Sequence, residues 1–242
     1  MTLRDRVVLV TGSGRRLGRA IAEGFGARGA TVAVHHNESD AGARDAAAEI
    51  ARLGGRAELF PADLAAPDAP AALVDAVADH FGRLDVLVNS AAVMRRTPIG
   101  EVTPAAWDAM MALNLRAPFF AAQAAARRMA AGGCIVNIAD LAAFETWPAY
   151  VPHGISKAGV VQMTRALAHA LAPAIRVNAV APGAVLLPDA WDDATGERLA
   201  ATTPLRRLGA PADVVEAVLY LATAQYVTGE TLIVDGGRHV RT

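Results

Sequence analysis

The stretch WPAYVPHGISKAG, residues 147–159, places a tyrosine, a histidine and a lysine within eight positions. His153 and Lys157 lie four residues apart, just after Pro152, a residue favoured in the first turn of a helix. Side chains four apart share one helical face, so both could act on one bound molecule. Imidazole has an ordinary pKa of about 6.5, against about 10 for phenol, and is a competent general acid. The spacing is compatible with a proton-transfer site, but a histidine near a helix start is more often structural, and both interpretations stay open at this point.

A second group of residues is typical of nucleotide binding. The first apolar run leads directly into TGSGRRLG, residues 11–18, and then into a helical pattern. Glycines at such a turn let the backbone approach a pyrophosphate, which the helix N-terminus stabilises. The usual G-x-G-x-x-G spacing fails at Leu17, whereas Gly12 and Gly18 keep a matching spacing with Arg16 between them.

The end of the second apolar run, residues 34–39, bears on the choice of nucleotide. His36 stands where an NAD-binding turn places a carboxylate for the ribose hydroxyl. Without that carboxylate, and with Arg15 and Arg16 across the turn, a 2′-phosphate would be attracted, and Ser39 adds a hydrogen-bond donor. The turn therefore favours NADPH over NADH. The negative charges of Glu38 and Asp40 oppose this preference, because they partly cancel the local positive field.

Seven apolar, β-branched runs alternate with alanine-rich helical patterns. The runs span residues 6–11, 31–36, 57–62, 84–89, 134–139, 175–182 and 231–236. The helical patterns span residues 17–28, 40–53, 68–81, 104–130, 153–171 and 211–222. This alternation predicts an α/β fold with a parallel sheet covered on both faces. No linker or repeat interrupts residues 1–242, so we expect a single domain, with either a substrate loop or a solvated loop at about 185–210.

The composition excludes several functional classes. Hydrophobic residues make up 53% and charged residues 19% of the 242 positions, the net charge is −1, and the arginine pairs are dispersed. Neither nucleic-acid binding nor a membrane span is expected. Cys134 is the only cysteine, which fits a reducing cytoplasm. His35 and His36 are adjacent on a predicted strand and point to opposite faces, and no metal-ligand spacing is present.

Eight ordered motifs together resemble the short-chain dehydrogenase/reductases. They are TGSGRRLG, PADL (61–64), LVNSAA (87–92), LNLRAPF (113–119), IVNIAD (135–140), HGISKAG, RVNAVAPG (176–183) and VTGETLIVDGG (227–237). The resemblance covers essentially the whole chain. It implies a doubly wound Rossmann-type domain, a nicotinamide cofactor, a small-molecule substrate and a homotetramer.

The resemblance also implies roles for individual residues. The cofactor-binding positions are Gly12, Ser13, Arg15, Arg16, Leu17, Gly18, His36, Asn37, Ser39, Asp63, Leu64, Asn89, Ser90, Ala91, Lys157, Pro182 and Gly183. The catalytic positions are Asn114, which would hold a water, together with Asp140, His153 and Lys157. Candidate substrate contacts are Arg95, Tyr150, Leu186 and Trp191.

Three departures from the family pattern narrow the hypothesis. Arg16 replaces the middle glycine of the turn and Asp140 replaces a serine, and both changes resemble the pteridine reductase branch. His153 replaces the family's tyrosine, whose role is to donate a proton to the substrate. A carboxylate at Asp140 would stabilise imidazolium and orient the ring, or Asp140 could merely cap a turn or pair with Lys157.

These departures leave three functional hypotheses open. The leading one is an NADPH-dependent reductase of a dihydropterin or related heterocycle. The others are a carbonyl reductase or alcohol dehydrogenase with histidine as proton donor, and a catalytically silent cofactor-binding homologue. Tyr150 is a rival donor, but Pro152 places it ahead of the helix, where lining the pocket is the favoured role. Ser156 lies on a different helical face from Lys157 and is expected to pack.

Overall fold

One parallel sheet organises the fold in the computed structural model, which describes residues 2–187 and 192–240. The strands of these ranges are β1 Val7–Val10, β2 Thr31–His36, β3 Arg56–Pro61, β4 Leu84–Asn89, β5 Met129–Ile138, β6 Ile175–Pro182 and β7 Thr231–Val234. They lie in the order β3-β2-β1-β4-β5-β6-β7, with every neighbouring pair parallel. The chain reverses its direction of travel across the sheet between β1 and β4, the point where such folds bind ligands.

Helices cover both faces of the sheet. The helices of the described residues are α1 Arg16–Gly26, α2 Asp40–Arg52, α3 Ala69–Phe81, α4 Pro104–Met111, α5 Ala117–Arg128, α6 Val151–Leu171, α7 Asp193–Thr202 and α8 Pro211–Thr223. One buried core joins the sheet to α1, α2 and α8, and the cores on the other face join it to α3, α5 and α6. The predicted doubly wound sheet of about seven strands is confirmed. None of the helices in the described ranges has both the length and the apolarity needed to cross a membrane.

The helix predicted over residues 104–130 is wrong as a continuous element. It is divided into α4, a π-helical turn at Ala112–Arg116, and α5, after which β5 begins at Met129. Pro118 lacks the N–H that would bond to the carbonyl of Asn114, and its ring clashes with that carbonyl in a regular helix. A wide turn at this point relieves the clash, and π-turns of this kind are frequent at functional sites.

The loop expected at about 185–210 contains a helix. Asp192 caps α7, because its carboxylate accepts a hydrogen bond from the backbone N–H of Thr195 at 2.9 Å. The charged residues that suggested a solvated loop therefore include a helix N-cap. Trp191 lies outside the described residues.

Candidate functional site

A cleft of about 610 Å³ opens at the carboxyl ends of the central strands. The predicted site residues that line it are Gly12, Arg15, Arg16, Leu17, Gly18, His36, Asn37, Ser39, Asp63, Leu64, Ser90, Ala91, Arg95, Asp140, His153, Lys157, Pro182, Gly183 and Leu186. The carboxyl ends of parallel strands share one edge of the sheet, which is why residues so distant in sequence converge here. Most of the predicted positions are thus brought together.

The turn after β1 approaches its neighbours too closely to hold side chains. Gly12 has a φ of +68°, and a Cβ added at this position would lie 2.8 Å from the Cα of Ala91. A Cβ on Gly18 would lie 2.3 Å from the carbonyl oxygen of Gly12. Glycine at both positions keeps the turn tight against the start of α1, with backbone groups exposed to the cleft. Such a turn fits a pyrophosphate group.

His35 organises this turn, a role that the sequence reasoning missed. Its Nδ1 accepts a hydrogen bond from the Gly12 N–H at 2.8 Å, and its Nε2 lies 3.1 Å from the carbonyl oxygen of Ala62. The ring is therefore neutral with its proton on Nε2, as assigned from these partners. Burial lowers the pKa of His35 to about 4. The available signal was a histidine at the end of β2, the strand that pairs with β1, which the glycine turn follows.

His36 presents an unpaired buried atom to the same cleft. Its side chain is 6% exposed, its Nε2 lies 3.8 Å from an Asp40 carboxylate oxygen, and its Nδ1 has no hydrogen-bond partner among the described residues. Arg44 Nε lies 2.9 Å from Asp40 Oδ2, and this ion pair partly neutralises the negative charge of Asp40 near the cleft. An unpaired buried nitrogen costs free energy unless a ligand satisfies it.

Two predicted cofactor residues support the cleft from behind instead of lining it. Ser13 donates its hydroxyl to the carbonyl of Val10 at 2.7 Å and is fully buried. Asn89 donates its side-chain amide to Asn137 at 2.9 Å. Both side chains therefore hold strand ends in place. Thr11, the first residue of the TGSGRRLG motif, was not among the predicted site residues, and it does the same by accepting the backbone N–H groups at positions 90 and 91.

Lys157 lies at the other end of the cleft and is the only lysine of the chain. Its side chain is 4% exposed, and Nζ donates to the carbonyl oxygen of Ile138 at 2.8 Å. Burial lowers the pKa of Lys157 to about 8, while the nearby Asp140 carboxylate opposes that shift. The ammonium remains the main form at neutral pH. It faces the cleft as a buried positive charge.

His153 and Asp140 form a close pair beside Lys157. The imidazole is 2% exposed, with Nδ1 3.3 Å from the carbonyl oxygen of Val93 and Nε2 3.5 Å from Asp140 Oδ2. When Nδ1 carries the proton and donates to Val93, Nε2 presents a lone pair to the carboxylate, so the two cannot bond. Nε2 accordingly lacks a hydrogen bond among the described residues. One added proton would convert this contact into a charge-assisted hydrogen bond.

Asp140 also caps a turn, as the alternative interpretation anticipated. Its Oδ1 accepts the Ala142 N–H at 2.8 Å, at the start of the 3₁₀ turn Leu141–Ala143. Its Oδ2 is the atom that faces His153. The cap fixes one oxygen and thereby aims the other, so the two roles are compatible.

Asn114 lies behind His153 and does not line the cleft. Its Oδ1 accepts the Val93 N–H and its Nδ2 donates to the Val93 carbonyl, both at 2.9 Å. The π-turn that carries Asn114 thus clamps the carbonyl that contacts His153. Ser156 joins this network, since its hydroxyl donates to the His153 carbonyl at 2.7 Å and accepts from Asn114 at 3.1 Å. Ser156 is fully buried, in agreement with the expected packing role, and its hydroxyl adds hydrogen bonds that the sequence did not indicate.

The candidate substrate residues divide into two groups. Arg95 and Leu186 line the cleft, together with Met94 and Val185, which the motifs did not indicate. Tyr150 is the N-cap residue of α6, ahead of the helix as predicted, and its ring packs edge-on against Trp147 at 6.2 Å between centroids. Within the described residues Tyr150 does not line the cleft.

Comparison with known proteins places the whole chain in one family. The family model described as Enoyl-(Acyl carrier protein) reductase matches residues 12–239. L-rhamnose 1-dehydrogenase (NAD(P)(+)) of Azotobacter vinelandii is 38% identical over 253 residues, covering 99% of each chain.

Solved structures show the same relationship. FolM alternative dihydrofolate reductase 1 from Brucella canis, complexed with NADP, superposes with a TM-score of 0.94 at 32% identity over 100% of this chain and 96% of that one. Landomycin C-6 ketoreductase LanV, with bound NADP and rabelomycin, superposes with a TM-score of 0.91 at 34% identity over 99% and 98%. With its parallel sheet, its glycine turn and these matches, the chain belongs to the short-chain dehydrogenase/reductase family.

Proposed function

We propose that this protein is an NADPH-dependent reductase of a dihydropterin or a related heterocycle, with His153 in place of the family's tyrosine. The observation that carries the proposal is the buried Nε2 of His153, which faces the Asp140 carboxylate at 3.5 Å beside Lys157. A titratable pair buried in the main cleft is where proton transfer is expected.

The nucleotide end of the cleft fits a dinucleotide that carries a 2′-phosphate. The glycine turn leaves no room for a Cβ at Gly18. Nδ1 of His36 has no hydrogen-bond partner within the described part of the chain, and this residue stands where an NAD-binding turn would hold a carboxylate. Arg15 supplies positive charge at the same edge. The NADP in the two solved relatives supports this choice.

The chain's own residues account for the proton. A nicotinamide cofactor held by the glycine turn and Lys157 would supply the hydride. His153 would hold a proton on Nε2, stabilised by Asp140 and aimed by the Val93 carbonyl, for delivery to the substrate atom opposite the hydride. Lys157 adds a positive charge that would hold the cofactor and disfavour a second positive charge on His153. Asp140 offsets that repulsion, which is why we assign it to the site.

Asp140 also supports the choice of a nitrogen heterocycle. Its Oδ2 accepts no hydrogen bond from the described residues in the cleft, since the Oδ1 atom makes the bond to the Ala142 N–H. A carboxylate oxygen in this position suits a ring N–H or amino group better than a ketone oxygen, because two oxygen acceptors repel each other. The likeness to FolM agrees with this choice.

The direct test is NADPH oxidation by the purified protein, followed by absorbance in a stopped-flow instrument. Dihydrobiopterin and dihydrofolate should be turned over, and His153→Phe should slow both by at least about a hundredfold, as expected for loss of a general acid. Asp140→Asn keeps the shape of the side chain but removes the charge that stabilises the proton on His153, and it should slow both reactions as well. Turnover of ketones with no turnover of either pterin would refute the heterocycle assignment.

A second candidate is a carbonyl reductase that uses the same proton donor. The likeness to LanV, which holds NADP and rabelomycin, favours it. The same assay with a panel of cyclic ketones separates the two candidates. Turnover of cyclic ketones with no turnover of either pterin supports this candidate.

We also infer a homotetramer in a reducing cytoplasm. Phe119 and Phe120, on α5, are 40% and 38% exposed, which is unusual for adjacent aromatic rings and favours burial by a second copy. Sedimentation velocity should give about four times the 25.0 kDa chain mass.

A further inference from the structure

Arg16 occupies a backbone conformation that favours glycine. Its φ is +51°, in the left-handed region where a side chain carries an energetic cost. The glycine expected from the family pattern would remove that cost. A strained residue at the cofactor turn persists when its side chain makes compensating contacts.

The side chain of Arg16 reaches across the cleft to the segment that follows β6. Its Nη2 donates to the carbonyl oxygen of Leu186 at 3.1 Å and to that of Leu187 at 2.9 Å. Both carbonyls are about 170 residues away in sequence. The contact therefore links the two walls of the cleft, the nucleotide turn and the substrate side.

Residues 184–187 are called the 184–187 segment here. This segment in turn contacts Gly209 and α7. The carbonyl oxygen of Ala184 accepts the Gly209 N–H at 3.0 Å. Leu187 packs so near α7 that a Cβ on Gly196 would lie 3.1 Å from its Cδ1. Leu186, at the centre of the segment, lines the cleft and is 38% exposed. Its position depends on the backbone that Arg16 holds.

We propose that Arg16 is a positioning residue, whose two hydrogen bonds to the 184–187 segment fix the substrate wall of the cleft against the nucleotide turn. The effect of Arg16 on turnover rests on the proposed function. The two hydrogen bonds that hold the 184–187 segment do not depend on it. A guanidinium suits the task because its planar donors reach two carbonyls at once.

The first test is amide hydrogen exchange of the full-length protein. In Arg16→Gly, the Gly209 amide should exchange about tenfold faster, equivalent to about 1.4 kcal/mol. The Gly183 amide, bonded to the Val234 carbonyl at 2.9 Å, should exchange at an unchanged rate. Glycine is free of strain at this φ, so the variant should fold. Arg15→Gly removes the same charge from the cleft edge and should leave Gly209 exchange within twofold of wild type.

The second test is steady-state kinetics at saturating NADPH. Arg16→Gly should raise the KM of the organic substrate about fivefold to tenfold and change kcat by less than about twofold. In Arg16→Lys the rise in this KM should be smaller than in Arg16→Gly. Unchanged Gly209 exchange in Arg16→Gly would overturn the proposal, as would a loss of NADPH affinity with the substrate KM unaltered. If the wild-type protein turns over no substrate, the proposed function fails. The Gly209 exchange rate still tests whether Arg16 holds the 184–187 segment in place.

Discussion

Replacing Lys157 with methionine should make the folded protein more stable while removing a site residue. Burial lowers the pKa of this lysine from 10.5 to about 8, and that difference corresponds to about 3 kcal/mol of destabilisation by the buried charge. Methionine has a similar shape and no charge. It also removes the hydrogen bond to the Ile138 carbonyl, which costs about 1 kcal/mol. The net expectation is a gain of about 1–3 kcal/mol at pH 7.

The pH dependence of that gain has a defined sign. Between pH 8 and 10.5 the unfolded chain binds more protons at Lys157 than the folded protein does, so the wild-type free energy of unfolding rises with pH across this window. Above it the lysine is neutral in both states, and the advantage of Lys157→Met should vanish. Below pH 8 the advantage should be complete.

Two assays measure this effect. Guanidinium chloride unfolding at pH 7 and pH 10, with equal m values, gives the stability difference. Because Lys157 is the only lysine, labelling with ¹³C-lysine yields one side-chain resonance, whose titration reports the pKa directly. Leu17→Met, at a partly buried position on the nucleotide side, is a control that introduces the same side chain without removing a charge. A lysine that titrates near 10.5, or a variant less stable than wild type at pH 7, would refute the reasoning.

Three further predictions concern the supporting residues. Burial lowers the pKa of His35 to about 4, so acidification from pH 6.5 to 4 should cost about 3 kcal/mol of stability, and His35→Asn should abolish that pH dependence in denaturant titrations. Gly18→Ala places a Cβ 2.3 Å from the Gly12 carbonyl oxygen and should weaken NADPH binding at least about tenfold by fluorescence titration, with an unchanged circular dichroism spectrum; unchanged affinity would contradict it. Asn114→Ala should lower kcat with little change in the KM of NADPH, because it releases the carbonyl that aims His153.

The sequence predicted the sheet because its strands are short apolar runs, of which the central ones, β1 and β4, are buried on both faces. It also predicted most of the cleft, since glycine turns and strand ends must meet at one edge of a parallel sheet. The helix break at Ala112–Arg116 was missed, because alanine-rich segments keep helical periodicity through a π-turn. The sequence did not indicate α7 either, since its Asp192 cap lies among charges typical of a solvated loop.

The roles of the buried polar residues depended on contacts that spacing does not reveal. Thr11 lies at the start of the glycine turn and His35 at the end of β2, yet each acts through atoms 20 or more residues away. The clamp between Asn114 and Val93 joins residues 21 positions apart. The hydrogen bond from Arg16 to Leu186 joins residues 170 positions apart. Each depends on how the elements pack.

The central claim is that His153, assisted by Asp140, supplies the proton. Its most direct test is the pH dependence of kcat/KM for NADPH-driven reduction, measured for wild type beside His153→Tyr. Phenol has a higher ordinary pKa than imidazole, so the alkaline decline in activity should move upward by more than one pH unit in the variant. Identical profiles for the two proteins would contradict the account.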